Sequence, residues 1–389
     1  MALRNIQYLI VLGISLILTS CGGENSSHKE NSTTLPVEKS AFQTKINGKQ
    51  TNLYILQNNQ GMKVGITNYG GRIVSWLAPD KQGDFDDIVL GFDSIEGYLN
   101  ANEEFFGALI GRYGNRIAEG EFKLNGQKYE LPINDNPNHL HGGSHGFHNV
   151  VWDAHQPDNR HLVLHYISKD GEAGYPGTLK VQVQYILSQN NELKIDYTAT
   201  TDDSTVINLT NHAFFNLAGA GSGSIGNQEL QINAGAFTPI DSNSIPTGEI
   251  RPVEGTPFDF RKSKAINKDI QQENQQLKFA KGYDHNFVLN KKQKGALTLA
   301  ATAYESTSGR KMNVYTTEPG LQFYSGNFLD GSDVGKGSKA YNRRGAFCLE
   351  TQHYPDTPNQ HNFPSTVLSP HKVFHSHSVY AFYTSSSEH

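Results

Sequence analysis

The amino-acid sequence predicts an all-β protein, built as a large antiparallel β-sandwich or barrel. Three segments alternate between polar residues and β-branched or aromatic residues, at positions 162–167, 179–185 and 193–197. Strict alternation of this kind is typical of strands that have one buried side and one solvent-facing side. Such strands belong to antiparallel sheets, which favours a sandwich or a barrel.

Turn and helix patterns support the same fold class. Asparagine–glycine and aspartate–glycine pairs, which favour tight hairpin turns, recur between strand-like segments. These pairs are Asn47-Gly48, Asn125-Gly126, Asp170-Gly171 and Asp330-Gly331. Helical patterns are short and rare, and the two best cover residues 95–99 and 266–277. We therefore expect few helices in the folded part of the chain.

The amino-terminal residues have the pattern of an export signal. Arg4 precedes an apolar run from Ile6 to Leu18, which is shorter than the roughly 20 residues needed to span a bilayer. The segment Leu18-Thr19-Ser20-Cys21-Gly22 resembles the lipobox of bacterial lipoproteins, in which the signal is cleaved before a cysteine that is then acylated. The sequence thus predicts a signal peptide over residues 1–20 and a lipid anchor at Cys21. We expect the protein in the cell envelope, on the periplasmic side or at the outer membrane.

The remaining chain is predicted to form a tether and one domain. Residues 21–40 are rich in Ser, Asn, Thr, Glu and Lys, a composition that buries too little apolar surface to fold. We therefore predict a flexible tether there. Residues 41–389 are predicted to form a single β-sandwich domain, since no second linker of this kind interrupts them.

Charge and cysteine content exclude some partners. Removal of Arg4 with the signal leaves 32 of the 33 basic residues against 38 acidic ones, and the longest basic cluster is Arg343-Arg344. This balance argues against a nucleic-acid partner. The two cysteines are Cys21 and Cys348, so lipidation of the first leaves no internal disulfide, and Cys348 is interpreted as a small buried hydrophobe. We expect a monomer.

Glu350 is the first candidate catalytic residue. It follows the apolar run Phe347-Cys348-Leu349, and burial on such a strand would raise the pKa of its carboxyl toward the range useful for proton transfer. Glu350 is therefore a candidate general base. The alternative is a glutamate on an edge strand that faces solvent.

His212 and Arg116 are further candidates in apolar or glycine-flanked settings. His212 follows Asn211 within an aromatic segment and could deliver a proton near neutral pH. The alternative is a hydrogen-bonded core histidine. Arg116, beside Asn115, could offer a forked donor to sugar hydroxyls, and the alternative is a structural ion pair.

A cluster of histidines raises the question of a metal site. The cluster comprises His139, His141, His145 and His148. No acidic residue or cysteine nearby completes a familiar zinc pattern, so we predict no catalytic metal there. His141, which precedes two glycines, is instead predicted to lie on a loop rim and to donate a hydrogen bond to substrate.

Asp284 and Gln322 have the side chains expected of a carbohydrate site. Asp284 could accept two hydrogen bonds from a diol, although a turn-capping aspartate is an alternative. Gln322 lies among aromatic residues, and amides beside aromatic rings suit sugars. We nominate no serine as a nucleophile. A glycosidase that uses Glu350 and Asp284 remains open at this point.

Six segments, taken together, resemble the aldose 1-epimerase family. In chain order they are GRYGNRI, NHLHGG with GFHNVVWDA, TNHAFFNL, YDHNFVL, EPGLQFYSGN and FCLETQHYPDTPNQHNFPSTVL. The resemblance covers residues 41–383. It implies a β-sandwich with the sugar in an open cleft and no redox cofactor.

The resemblance also implies roles for individual residues. Glu350 would be the general base that deprotonates the anomeric hydroxyl, and His212 the acid that protonates the ring oxygen. The sugar-binding positions would be Asn115, Arg116, His141, Phe214, Asp284 and Gln322. The expected activity is interconversion of the α and β anomers of free aldoses such as galactose and glucose.

Some positions depart from the pattern of the family. Phe214 stands where members often have tyrosine, His148 replaces a common aspartate, and Ser369-Pro370-His371 replaces a frequent Arg-Pro-Gly. Some bacterial members are associated with calcium, but the sequence has no Asp-x-Asp-x-Asp-Gly loop.

The alternative functions are a non-catalytic sugar-binding lipoprotein and a hexose-6-phosphate 1-epimerase. The export signal disfavours the second, because phosphorylated sugars are cytoplasmic.

Overall fold

The computed structural model describes residues 34–384, and its largest element is a nine-stranded antiparallel sheet. In spatial order its strands are Asp153–Asp158, His161–Ser168, Leu179–Leu187, Glu192–Thr201, Phe374–Thr384, Arg310–Thr316, Thr298–Tyr304, Glu229–Ile232 and Lys264–Ala265. The three segments predicted as strands lie within the second, third and fourth of these. The prediction of an all-β antiparallel fold is confirmed.

Two smaller sheets and five two-stranded ribbons complete the strand content. The five-stranded sheet has the order Arg251–Pro252, Ala234–Phe237, Asp284–Leu289, Gly320–Tyr324 and Cys348–Gln352. The four-stranded sheet contains Leu53–Gln57, Lys63–Thr67, Ile73–Pro79 and Phe85–Asp87. The ribbons pair Lys45–Ile46 with Lys49–Gln50, Ala108–Ile110 with Thr210–His212, Arg116–Ile117 with His139–Leu140, Glu121–Leu124 with Gln127–Glu130, and Thr205–Val206 with Val367–Leu368.

Helices are short throughout residues 34–384. The α-helices are Ile95–Leu99 and Gln275–Phe279, and the 3₁₀ turns are Lys39–Phe42, Ala118–Gly120, Phe147–Asn149, Glu172–Gly174, Lys336–Ser338 and Thr357–Asn359. No helix in this part of the chain is long and apolar enough to cross a bilayer. The second predicted helix was too long, because Asn274 caps the amino end of a helix that begins only at Gln275.

Two of the predicted turn pairs close hairpins. Asn47-Gly48 joins Lys45–Ile46 to Lys49–Gln50, and Asn125-Gly126 joins Glu121–Leu124 to Gln127–Glu130. All four turn residues have positive φ, between 50° and 81°. Two successive positive φ angles define the type I′ turn, which matches the twist of the strands it connects.

The folded part of the chain starts earlier than the sequence predicted. Leu35 and Val37, assigned above to the tether, are buried in an apolar cluster with Phe42 and Leu53. Each apolar side chain that leaves water in this way stabilises the fold, which the polar average of the segment conceals. The predicted signal peptide and Cys21 lie outside the described residues.

Hydrogen bonds to the large sheet fix the rotation of the strand Cys348–Gln352 about its own axis. The Tyr380 hydroxyl donates to the carbonyl oxygen of Leu349 at 3.1 Å, and the hydroxyls of Thr351 and Ser378 are 2.6 Å apart. Because successive side chains on a strand point to opposite faces, Leu349 and Thr351 face the large sheet and Glu350 faces away from it. This rotation sets the direction of the candidate general base.

Arg112 is the most heavily hydrogen-bonded buried cation close to the candidate site. Its guanidinium donates to the carbonyl oxygens of Pro176, Gly177, Ser168 and Lys169 at 2.7–3.2 Å and to the Ser168 hydroxyl at 2.6 Å. A planar group with five N–H donors suits such a set of acceptors. Arg112 therefore ties the sheet edge to the segment that leads into Asn115 and Arg116.

We expect Arg112→Met to lower the free energy of unfolding by about 3 kcal/mol or more. Each buried carbonyl left without a donor costs about 1–3 kcal/mol, and methionine replaces none of the lost hydrogen bonds. Urea unfolding followed by tryptophan fluorescence measures the change. The matched control is Lys123→Met, which removes an exposed cation. Equal stability of the two variants would contradict this role of Arg112.

Candidate active site

A single cleft collects most of the predicted site residues. Its lining comprises Glu103, Phe105, Asn115, Arg116, Leu140, His141, His212, Asp284, Tyr324, Phe328 and Glu350. These residues come from loops, from two ribbons and from three strands of the five-stranded sheet. Six of the eight residues implied by the resemblance line this cleft.

Glu350 and His212 form a close pair at the bottom of the cleft. His212 Nε2 lies 3.6 Å from Glu350 Oε1, and the two side chains are 6% and 2% exposed. Burial raises the pKa of the Glu350 carboxyl well above its ordinary value, the Asp284 charge adds to the rise, and Arg116 opposes it. Cys348–Gln352 is the last strand of the five-stranded sheet, but the Glu350 carboxyl is buried and does not face solvent.

The pair is set to hold one exchangeable proton. Burial lowers the pKa of His212 to about 3, so its imidazole is neutral at ordinary pH. The raised pKa of Glu350 favours the protonated form of its carboxyl. Glu350 Oε2 has no hydrogen-bond partner among the described residues. Glu350 lines the cleft, and a carboxyl within hydrogen-bond reach of a bound molecule can exchange a proton with it.

His141 and Asn115 face each other across a two-stranded ribbon. Both have positive φ, 53° and 65°, which is uncommon for residues other than glycine and is concentrated at functional sites. The Asn115 backbone N–H donates to His141 Nδ1 at 3.1 Å, and the His141 N–H donates to the Asn115 carbonyl oxygen at 3.1 Å. Because Nδ1 accepts, the neutral ring carries its proton on Nε2. His141 is therefore a hydrogen-bond donor at the cleft, and its contact with substrate stays a prediction.

Arg116, Asp284 and Gln322 form a linked polar group. Arg116 Nε donates to Asp135 Oδ2 at 2.7 Å, and Arg116 Nη1 lies 3.9 Å from Asp284 Oδ2. Gln322 Nε2 donates to Asp284 Oδ1 at 2.7 Å. Arg116 thus makes the structural ion pair considered above and also reaches the cleft. Gln322 lies behind Asp284 and orients its carboxylate.

Phe214 does not line the cleft, which corrects its assignment as a substrate contact. Its ring is fully buried and packs 4.9 Å from the His212 ring and 4.7 Å from the Phe106 ring, measured between centroids. A large apolar ring without polar atoms is more stable in this cluster than in a wet cleft. Phe214 therefore supports His212 from behind.

The other histidines of the sequence cluster have separate places. His139 is buried with both ring nitrogens hydrogen-bonded, Nδ1 to the Pro132 carbonyl oxygen at 2.7 Å and Nε2 to the Tyr175 hydroxyl at 2.8 Å. His148 is buried, and its Nε2 lies 3.6 Å from a carboxylate oxygen of Glu104. These two residues are structural and do not line the cleft.

Several cleft residues were missed by the sequence analysis. The centroid of the Phe105 ring lies 4.6 Å from that of His141 and 5.8 Å from that of His212. Tyr324 and Phe328 form a stacked pair at the rim. Glu103 adds a third carboxyl, whose pKa burial raises to about 7 although the Phe105 N–H opposes the rise. Glu103 lies one residue before an apolar run that starts at Phe105, and Glu350 directly follows another apolar run. The same signal of an acid beside an apolar run could therefore have found Glu103.

The ligating atoms of His141, His212 and Glu350 lie within 4.8 Å of one another, which is close enough to consider a metal ion. A metal-bound histidine donates its other ring N–H to an acceptor. His141 Nδ1 instead accepts the Asn115 N–H, so the ring presents a proton to the cleft rather than a lone pair. Calcium is also a poor match, since it takes six to eight oxygen ligands. The cluster fits proton transfer better than metal binding.

A buried acid–base pair surrounded by hydrogen-bonding side chains and aromatic rings is the kind of site that suits proton transfer on a carbohydrate. The comparisons with known proteins specify the family. The chain belongs to the aldose 1-epimerase family, whose sequence model matches residues 52–381.

Characterised relatives cover most of the chain. It is 46% identical over 316 residues to a galactose mutarotase from Bos taurus, which covers 81% of this chain and 89% of the relative. It is 37% identical over 337 residues to an aldose 1-epimerase from Escherichia coli K12, which covers 86% of this chain and 96% of the relative. The similarity therefore extends across most of the β-sandwich.

Solved structures agree with the fold. An aldose epimerase homologue from C. elegans superposes with a TM-score of 0.79 at 29% identity, covering 86% of this chain and 99% of the other. A galactose 1-epimerase from Lactobacillus acidophilus gives a TM-score of 0.76, also at 29% identity, with coverages of 88% and 97%.

Proposed function

We propose that this protein interconverts the α and β anomers of free aldoses such as galactose and glucose. The observation that carries the proposal is the buried pair of Glu350 and His212, whose polar atoms are 3.6 Å apart at the bottom of the cleft. Ring opening of an aldose needs one proton removed from the anomeric hydroxyl and one delivered to the ring oxygen. A carboxyl and an imidazole that both face one cleft can perform these two transfers in a single bound geometry.

Opening and closing follow the same path in opposite directions. Glu350 takes the proton of the anomeric hydroxyl, the C1–O5 bond breaks, and O5 receives a proton from His212. The product is the open-chain aldehyde, in which the anomeric oxygen is the carbonyl oxygen. Rotation about C1–C2 then presents the other face of the aldehyde, and the two proton transfers run backward as the ring closes. No oxidant or reductant is required.

The charge balance suits a buried site. For the cyclic sugar the pair must start with a proton on His212 and none on Glu350, and it ends with the proton on Glu350. Because His212 Nε2 and Glu350 Oε1 are 3.6 Å apart, one shared proton can lie on either group without changing the net charge of the pair. Opening then likewise moves protons without adding charge to the site. This avoids the large free-energy cost of burying an unpaired ion.

The rim residues are assigned to sugar binding. His141 donates through Nε2–H, and Asp284 accepts hydrogen bonds from hydroxyls. Arg116 donates through its second guanidinium edge, and Asn115 contributes from the same ribbon. The aromatic surface of Phe105 and Phe328 suits the apolar face of a pyranose.

Polarimetry on freshly dissolved sugars tests the proposed function. Addition of the protein to α-galactose, α-glucose, α-xylose or an arabinose anomer is expected to accelerate the approach to the equilibrium rotation of at least one sugar. No acceleration of any of the four would contradict it. Measurable sugar affinity without acceleration would instead support a non-catalytic sugar-binding protein.

We also propose that the mature protein is attached to the cell envelope through acylated Cys21. The support is the position of this cysteine directly after an apolar signal-like segment. Metabolic labelling with a palmitate analogue is expected to label the wild type and not Cys21→Ala. Equal labelling of the two proteins, or none of the wild type, would contradict the anchor. Cys348→Ala is the matched control and should label like the wild type.

A further inference from the structure

Glu103 is a carboxyl of the cleft that the proposed mechanism does not use. It lines the same cleft as Asp284 and Glu350. Its Oε1 accepts the Phe105 backbone N–H at 3.1 Å. In the part of the chain that the structure describes, no other group donates a hydrogen bond to the Glu103 side chain, and no cation forms an ion pair with it. Its second carboxyl oxygen is therefore available to a bound molecule.

The backbone around Glu103 is held in place by a neighbouring loop. Asp333 Oδ2 accepts the Glu103 N–H, and Asp333 Oδ1 accepts the Asn102 N–H, each at 2.9 Å. Asp333 is itself buried. On the other side of Glu103, the Phe105 ring packs on the His141 ring. Glu103 is therefore presented to the cleft from a segment that is fixed on both sides.

The cleft contains more carboxyls than cations. Glu103, Asp284 and Glu350 line it, and Arg116 is the one lysine or arginine in the lining. Arg116 Nε donates to Asp135 Oδ2 at 2.7 Å, and Arg116 Nη1 lies 3.9 Å from Asp284 Oδ2. Even with a proton on Glu350, these two aspartates more than balance the single charge of Arg116. A neutral sugar therefore leaves Glu103 without a positive partner.

The surroundings of Glu103 favour a positively charged ligand. Burial raises the pKa of the Glu103 carboxyl to about 7, and the charges of Asp333 and Glu104 add to the rise. The Phe105 N–H and the Arg72 guanidinium oppose it. Because a nearby cation favours the ionised form of a carboxyl, an ammonium group beside Glu103 would form an ion pair with it at neutral pH.

We propose that Glu103 is a specificity-determining residue that makes aldoses with one protonated amino group the preferred substrates of this cleft. The ammonium group takes the place of a sugar hydroxyl and donates to the free carboxyl oxygen of Glu103. The inference rests on the proposed function, since it names the class of aldose that the same cleft prefers. Glu350 and His212 act on the anomeric centre as before, and no further chemical step is required.

A charged amine binds a carboxylate more strongly than a hydroxyl does. Hydrogen bonds that involve an ionised donor and acceptor are shorter and roughly twice as strong as those between neutral groups. The Asp284 carboxylate in the same cleft adds attraction for a cation. Acetylation of the amine removes its charge and keeps the sugar ring. An N-acetylated aldose is therefore the natural comparison for the amino sugar.

Rates of anomer interconversion for galactose, galactosamine, 6-amino-6-deoxygalactose and N-acetylgalactosamine at neutral pH test the preference. For the wild type, kcat/KM of at least one of the two amino sugars is expected to exceed that of galactose by about 10-fold, the low end for a hydrogen bond to a charged group. N-acetylgalactosamine should not exceed galactose. Amino sugars that are no better than galactose, or an N-acetylated sugar that is equally preferred, would overturn the proposal.

Glu103→Gln tests the residue itself. Glutamine keeps an oxygen that accepts the Phe105 N–H but has no charge, so the ratio of kcat/KM for the amino sugar to that for galactose should fall to within about twofold of one. The matched control is Glu104→Gln, since Glu104 is exposed, lies near His148 and does not line the cleft. The control should keep the wild-type ratio. An unchanged ratio in Glu103→Gln, or an equal fall in both variants, would overturn the proposal.

A titration of the bound protein gives a readout that needs no turnover. Carbon-13 spectra of protein labelled at the glutamate side-chain carboxyls report the ionisation of Glu103, with Glu103→Gln to assign the signal. Saturating galactosamine or 6-amino-6-deoxygalactose is expected to lower the pKa of Glu103 by about one pH unit, which corresponds to about a 10-fold preference for the ionised form. Galactose should not lower it. A pKa that neither amino sugar lowers would overturn the proposal.

Failure of the proposed function and failure of this inference are separable. If no sugar equilibrates faster with the protein, the proposed function fails, and the titration still decides whether Glu103 binds an amine. If galactose equilibrates faster but the amino sugars show neither the preference nor the lowered pKa, this inference alone fails.

Discussion

Replacement of Glu350 with glutamine is expected to reduce kcat for anomer interconversion by about 10²–10⁴-fold, the range that general acid–base catalysis contributes. Glutamine has nearly the same shape as glutamate, but its amide oxygen is too weak a base to take the proton of an anomeric hydroxyl. The strand contacts of Leu349 and Thr351 do not involve the Glu350 side chain. The fold should therefore be preserved, with the loss confined to the proton transfer.

Polarimetry with subtraction of the spontaneous rate measures the effect of Glu350→Gln. The matched control is Glu249→Gln, the same chemical change in an exposed glutamate that pairs with Arg251. The control should match the wild type within about twofold. A Glu350→Gln variant that keeps more than about a third of the wild-type kcat would show that another group removes the proton.

His212→Asn is expected to cause a loss of similar size, because asparagine keeps a hydrogen-bond donor but cannot donate a proton to the ring oxygen. Phe105 and Phe214 both pack against the His212 ring, so the smaller asparagine side chain loses part of its contact with these two rings. Some loss of stability is expected as well, and thermal unfolding separates it from the kinetic effect. His155→Asn, at an exposed position, is the control.

The pH dependence of the wild type follows from the two shifted pKa values. Below its pKa of about 3, His212 gains a proton and the pair holds two; well above the ordinary pKa of a carboxyl, Glu350 loses its proton and the pair holds none. Between these limits the pair holds the single proton that the mechanism requires. The enzymatic rate should fall as pH drops through about 3, stay level as pH rises through the ordinary carboxyl range, and fall only above the raised pKa of Glu350, as for a coupled pair.

Rates measured from acidic to alkaline pH, with circular dichroism to confirm that the protein stays folded, check this profile. A rate that climbs steadily as pH rises through 4.5 would indicate an ordinary carboxylate base and a separately charged histidine. That profile would contradict the assignment of one shared proton to the pair.

Much of the fold and of the candidate site could be predicted from the sequence because the relevant signals are local. Alternation over residues 162–197 marks strands directly, and Asn-Gly pairs mark the hairpin turns. Glu350 and His212 were identifiable because each is an ionisable group inside an apolar run. The ordered set of family segments then implied that these distant residues meet in one cleft.

The remainder depends on contacts that the sequence does not encode locally. The direction of the Phe214 ring is set by Phe106 and His212, which pack against it from other parts of the chain. The positive φ of His141 and Asn115 is held by their mutual hydrogen bonds. Asparagine and histidine favour this conformation, but residue type alone does not say which of them adopt it. Glu103 enters the cleft from a loop whose course is decided by the fold around it.

The central claim is that the Glu350 and His212 pair opens and recloses the C1–O5 bond. Carbon-13 exchange spectroscopy on galactose labelled with ¹³C at C1 and ¹⁸O at the anomeric oxygen tests it at equilibrium. Cross peaks between the α and β C1 signals should grow with protein concentration, with the ¹⁸O isotope shift retained, and Glu350→Gln should add nothing to the spontaneous exchange. Exchange no faster than the protein-free sample, or exchange accompanied by ¹⁸O loss to water beyond that of the protein-free sample, would contradict the account.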